Sequence, residues 1–326
     1  MSLFAYARKF LVGAVDCHLK FKGFKTSGDT VVQLHLDSDN FPMPKGIDKA
    51  KVDKLLRDRC EDISELRRCS HFEETQTVRG ICRVLARTHL NRGGVGFVAR
   101  GEPNRTITQR VLGVLDHADE SQLKGFENEG ALLHSWVEYA THADQRGLFA
   151  DIDIASLKLL RDNPTTARAK GAHPNWVTVV CGISSGFKYL GKQFQFDAAQ
   201  VWEKMDEAGR SAEDVIKLIE SCRNEVYQFG PALAGSFFAD LGSPNFAKPD
   251  VHVRDAMAAY RGQFQIGDLE ALRAVLHEAA TSGSTPRALD KIFYLACSGR
   301  YYLIGESAAN PQEQKEAFLR HLRSFR

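Results

Sequence analysis

The sequence predicts a mainly α-helical protein with a small α+β piece at its N-terminus. Apolar residues recur at three- and four-residue spacing in one segment after another, which places them on single helix faces. Residues suited to helix starts stand before many of these segments, among them Ser211, Pro231, Asp250, Pro286 and Pro311. Strand-like patterns are confined to the first hundred residues, and no internal repeat or low-complexity tract interrupts the rest.

Residues 1 to about 45 differ from the remainder of the chain. Val31, Leu34 and Leu36 mix with Gln33 and His35 after the turn residues Ser27, Gly28 and Asp29, which predicts a strand. Lys20, Lys22 and Lys25 alternate with Phe21 and Phe24; such an edge either touches a nucleic-acid backbone or is a solvated, half-buried strand. A loop at 40–46 closes the segment. Residues 47–69 read as a charged helix with Val52, Leu55, Leu56, Ile63 and Leu66 as its apolar stripe. Residues 75–90 read as another, with Arg79, Arg83 and Arg87 on one face, either a phosphate track or a solvated surface. The glycine-rich run 91–97 lacks the Lys-Ser/Thr of a phosphate loop and reads as a turn into a short strand at 97–99. Further helices are predicted over 106–117, 127–142, 153–161, 175–189, 197–207, 268–280 and 286–297. A last one runs from Pro311 to a basic end at Arg320, Arg323 and Arg326.

The informative stretch is 211–260. Val215, Leu218, Ile219, Cys222 and Val226 fall at helical spacing behind Ser211, a good N-cap. A tight break comes next at Gln228, Phe229 and Gly230, and Pro231 suits the first turn of a new helix. That helix is small on one side (Ala232, Ala234, Gly235) and aromatic on the other (Phe237, Phe238). Residues 242–249 form a loop by their glycine and prolines, and Asp250 stands as N-cap before Val251, Val253, Met257 and Tyr260. The order is helix, hairpin, helix, loop and a carboxylate at the head of a third helix.

This order resembles the helix-hairpin-helix-GPD superfamily of DNA glycosylases. The resemblance rests on the run Phe229 to Ala234, then Lys248-Pro249-Asp250-Val251-His252-Val253, and covers about fifty of the 326 residues. It implies a two-lobed helical glycosylase fold, with residues 101–326 as the core, the hairpin at 211–241 and the catalytic loop at 242–252. Residues 1–100 would be an N-terminal elaboration. Asp250 is then the catalytic carboxylate, and Phe229, Gly230, Ala232, Ala234, Lys248 and His252 are expected at the DNA. Two positions depart from the family hairpin: Gln228 stands where a glycine is usual and Tyr227 where a proline is. Members that also nick DNA carry a lysine at the position of Ala232, and alanine has no amine for a Schiff base. An iron–sulfur cluster is not expected either, because Cys297 is the only cysteine after Asp250.

The implied chemistry is base excision. The target nucleotide leaves the stack for a pocket, and cleavage of the glycosidic bond builds positive charge on the sugar, which a carboxylate stabilises. Without a lysine, Asp250 would also orient the attacking water. Backbone N–H groups from Gly230 to Ala234 would hold a phosphate at a helix start. Trp136, His173, Trp176, Phe187 and Tyr189 are the candidates for walls of a base pocket, set against their default role as core. The N-terminal elaboration and the divergent hairpin point to an unusual target, such as the bulky hypermodified bases of virus genomes.

Composition limits these readings. The net charge is +2, from 43 basic and 41 acidic side chains, so any steering toward DNA has to come from local clustering. This balance, with Gln228 and Tyr227, favours the alternative of a non-catalytic helix-hairpin-helix nucleic-acid-binding protein; Asp250 in its Pro-Asp-x-His setting favours the enzyme. No apolar run approaches the length of a membrane span, and no cleavage site follows the N-terminal apolar patch. The seven cysteines form no CxxC pair and read as reduced thiols. The expectation is a cytoplasmic monomer that needs no cofactor and acts on double-stranded DNA carrying a modified or damaged base.

Overall fold

A computed structural model describes residues 1–23, 27–37, 75–90, 104–141, 151–162, 174–301 and 306–325. The helix expected at 47–69, the loop at 40–46, the glycine-rich run and strand at 91–99, and Phe24, Lys25 and His173 lie outside them. The described chain is mainly helical. In order come α1 (Leu3–Phe21), α2 (Gly28–Asp37), α3 (Val78–Leu90), α4 (Asn104–His117), α5 (Glu120–Gly125), α6 (Glu129–Thr141), α7 (Asp151–Asp162) and α8 (Pro174–Phe194). After these come α9 (Ala198–Ala208), α10 (Ala212–Glu225), α11 (Pro231–Asp240), α12 (Val251–Arg261), α13 (Asp268–Ser282) and α14 (Pro286–Ser298). An antiparallel pair, β1 (Arg300–Tyr301) and β2 (Glu306–Ser307), precedes α15 (Pro311–Arg323).

The contacts divide the chain into two compact units, one of Met1–Glu73, Asp206–Lys217 and Phe238–Arg326, the other of Glu74–Met205 and Leu218–Phe237. In the first, α1 packs on α2, α13, α14 and α15, while α12 packs on α13, α14 and α15. The stripe Leu3, Ala7, Leu11, Val15 and Leu19 is buried at four-residue spacing. Each buried leucine or valine there contributes roughly 2 kcal/mol, whereas the Ser2 cap contributes ~1 kcal/mol, so packing decides where α1 lies. Tyr6 stacks on His321 at 3.9 Å and Phe10 meets Phe318 at 5.2 Å, which seats α15 on α1.

The strand expected around Val31 to Leu36 is instead part of α2. Ser27 starts it, accepting from Thr30 N–H at 3.2 Å through its hydroxyl and from Val31 N–H through its carbonyl. Val31, Val32 and His35 are buried together, a helical spacing, and Asp29 pairs with Arg8 of α1 at 2.8 Å. The β-branched valines favour a strand only weakly, and packing against α1 overrides that preference. Lys20 and Phe21 likewise end α1, with Lys22 at its C-cap, and form no strand. Among the described residues the expected α+β addition is therefore helical.

In the second unit, α3 packs on α4, α5 and α8, while α8 also meets α5, α6 and α7. Gly182 and Gly186, one turn apart on α8, face His89 and Leu85 of α3 so closely that a Cβ at either would overlap them. The arginines of α3 do not form an open track. Arg79 donates to the Ala118 carbonyl at 2.9 Å and Arg83 pairs with Asp116 at the end of α4. No described helix is long and apolar enough to cross a membrane.

Candidate active site around Asp250

Pro249 ends the loop after α11, and Asp250 turns the chain into α12. Its backbone is extended (φ −79°, ψ −175°), as an N-cap requires. Its N–H donates to the Lys248 carbonyl at 2.7 Å, a tight turn about Pro249. Its Oδ1 accepts from His252 N–H at 2.9 Å and from Val253 N–H at 3.3 Å. Both bonds end on Oδ1, so among the described residues Oδ2 keeps its lone pairs for another partner. Asp250 itself is half-buried.

His252 stands beside it and meets Tyr294 of α14 edge to face at 5.5 Å. Burial pushes its pKa below the ordinary value; Asp250 and Asp255 pull it up, while Lys315 and Lys248 lower it further. Burial thus favours the neutral ring, and its Nδ1 is buried with no hydrogen bond among the described residues. The Cys297 thiol donates weakly to the His252 carbonyl at 3.8 Å, and Lys315 of α15 pairs with Asp255 at 2.6 Å.

A second acid lies behind this loop. Asp290 of α14 is 9 % exposed and accepts the Lys248 N–H on Oδ2 at 2.9 Å. Burial chiefly raises its pKa, to about 6; the Asp250 charge adds to the rise, against the Lys248 N–H, Arg287 and Lys291. One turn earlier, Arg287 N–H donates to the Pro244 carbonyl at 3.2 Å and its guanidinium reaches Asp240 at 3.3 Å. Sequence reasoning misses Asp290. The signal that could have found it is an acid set among Leu289, Ile292 and Phe293 in an apolar stripe, where a carboxylate belongs only if something holds it.

No family model matches the chain, and neither does any curated protein or solved structure.

The site residues expected from the sequence fall into two sets. Lys248, Asp250 and His252 lie together in the first unit. Phe229, Gly230, Ala232 and Ala234 lie in the second. There the hairpin rests on its own neighbours: Phe229 is buried and stacks on His89 at 5.8 Å, and Tyr227 N–H donates to Ser185 Oγ at 2.8 Å. Gln228, at the expected glycine position, has φ +57°, the left-handed region that glycine enters most easily. Gly230 has no such angle, and a Cβ built on it would meet nothing within 4 Å. Neither packing nor backbone conformation asks for glycine there.

One donor of the expected phosphate site is already used. Ala234 N–H is bonded to the Gly230 carbonyl at 3.0 Å, and its side chain is fully buried. The helix donors without an intrahelical acceptor narrow to Ala232 and Leu233, since Pro231 has no N–H. The proposed base-pocket residues also lie in the second unit. Trp136 and Trp176 meet edge to face at 5.6 Å, Phe187 stacks with Phe126, and Tyr189 meets Phe194, all nearly or fully buried. In this arrangement they are core side chains.

Proposed function

We propose that the protein is a monofunctional DNA glycosylase that excises a modified or damaged base by hydrolysis. The observation that carries this reading is the Asp250 carboxylate, fixed through Oδ1 at the head of α12, with Oδ2 unengaged among the described residues. As the C1′–N bond breaks, its electron pair leaves with the base, and the sugar gains positive charge that the Asp250 anion stabilises. Water adds its oxygen to C1′ and gives up a proton to Asp250, which the departing base finally takes. The open space at Gly230 and the first-turn N–H groups of Ala232 and Leu233 suit close approach of a backbone phosphate. Ala232 offers no amine, so a Schiff base at that position has no nucleophile.

The near-neutral charge, with Gln228 and Tyr227 in the hairpin, favours a second reading, a helix-hairpin-helix protein that binds nucleic acid without chemistry. A panel of duplexes separates the two, each carrying one alkylated, oxidised, deaminated or bulky hypermodified base and treated with hot alkali after incubation. Alkali-dependent breaks at one modified base, with no protein trapped by borohydride, support the glycosylase. Binding across the panel without any break supports the second reading.

A further inference from the structure

Resting on the glycosylase reading of Asp250, we propose that Asp290 is its positioning residue: the buried acid holds the Lys248 backbone, and through it sets where the Asp250 carboxylate stands. Asp290 takes the Lys248 N–H, and the carbonyl of Lys248 takes the Asp250 N–H, so one residue links the two acids. Arg287, one helical turn from Asp290, fixes the same loop at Pro244 and Asp240. The first turns of α14 thus hold the loop near both ends, and Asp290 is the contact nearest Asp250.

An uncharged acceptor would make the same bond at a smaller desolvation penalty, so the choice of an acid points to its charge. A hydrogen bond to an ionised acceptor is about twice as strong as a neutral one. Asp290 faces the Asp250 carboxylate, the Arg287 and Lys291 cations and the Lys248 peptide, and it gains its charge near pH 6. The Lys248 N–H favours the charged form of Asp290, so that one bond is stronger above that pH than below it.

The test compares the parent with Asp290→Asn and Asp290→Leu on both sides of pH 6. It reads amide hydrogen exchange at Lys248 and single-turnover base release from the panel duplex that the parent cleaves fastest. In the parent, Lys248 protection and release rise together through about pH 6. Asp290→Asn keeps the acceptor and flattens both profiles. Asp290→Leu speeds Lys248 exchange about ten- to hundred-fold, the scale of one lost buried hydrogen bond, and slows release about ten-fold or more at unchanged duplex affinity. Parent-like Lys248 exchange in Asp290→Leu overturns the proposal whatever the chemistry. Freed Lys248 with parent-like release overturns the positioning role and leaves the glycosylase standing. Freed Lys248 in a protein whose parent releases no base sinks the glycosylase and leaves the hold on Lys248 intact. Should Asp290→Leu not fold, Asp290→Asn decides: a Lys248 exchange midpoint still near pH 6 overturns the proposal.

Discussion

At the scale of single residues, the hairpin carries a measurable strain. Gln228 takes a left-handed backbone that costs an ordinary L-residue about 1–2 kcal/mol. Glycine avoids that cost but loses roughly 0.5–1 kcal/mol through its freer unfolded chain. Gln228→Gly should therefore raise stability by up to about 1 kcal/mol, and Gln228→Val should lower it, both read from urea midpoints. A clear loss of stability in Gln228→Gly would show that the Gln228 amide, which donates to the Tyr227 hydroxyl at 3.1 Å, matters more than the backbone angle. The resemblance marks position 228 as one that wants glycine; the backbone angle gives the physical reason. Asp290 shows the opposite case. A sequence displays its carboxyl but not the burial or the Lys248 N–H that give it a role.

At the scale of elements, helix-start chemistry is the most legible feature. Asp250 caps α12, and the pair Thr285 and Pro286 opens α14, because a cap needs only a few neighbouring residues. The segment 28–37 reads as strand by its own pattern, yet its deciding contacts, Arg8 to Asp29 and the buried Val31 and Val32, come from packing on α1. The base-pocket candidates do not gather at an opening for a related reason: aromatic residues on helical spacing are recruited first by the core. The hairpin makes its own prediction. Gly230→Asp should fold normally, because its Cβ has open space, yet weaken binding to duplexes of every sequence by adding charge and bulk at the proposed phosphate contact. Titrations at low and higher salt check this. Parent-like affinity for unmodified duplex would remove the hairpin as the anchor.

At the scale of the whole molecule, two buried titrating groups of one unit pull stability in opposite directions with pH. His35 is held neutral by burial foremost and by Lys291, its pKa lowered to about 3 from 6.5. Its unfolded form takes a proton first on acidification, so its contribution is complete above about pH 6.5 and is lost as pH falls toward 3. Asp290, raised to about 6, binds its proton first in the folded state, so it adds stability as pH falls from 6 to about 4. The two slopes offset each other between about pH 4 and 6. The stability difference between the parent and His35→Gln should therefore shift against the parent by several kcal/mol on acidification from pH 7 to 4, at ~1.4 kcal/mol per unit of pKa change. Urea unfolding at a series of pH values reads it, and a pH-independent difference would contradict it.

The function proposed for the molecule as a whole rests on one carboxylate, and single-turnover base release by Asp250→Asn tests it most directly. Asparagine keeps the cap, so stability should fall by about 1 kcal/mol or less. Duplex binding should hold or tighten as an anion leaves the proposed DNA-facing side. The rate should fall by ~10²-fold or more, the usual consequence of losing one fixed electrostatic stabiliser. Asp255→Asn, on the same helix as Asp250, removes the charge that pairs with Lys315 of α15 and should leave the rate near that of the parent. Release by Asp250→Asn within a few-fold of the parent rate would make Asp250 a helix cap and nothing more, and would contradict the glycosylase account at its centre.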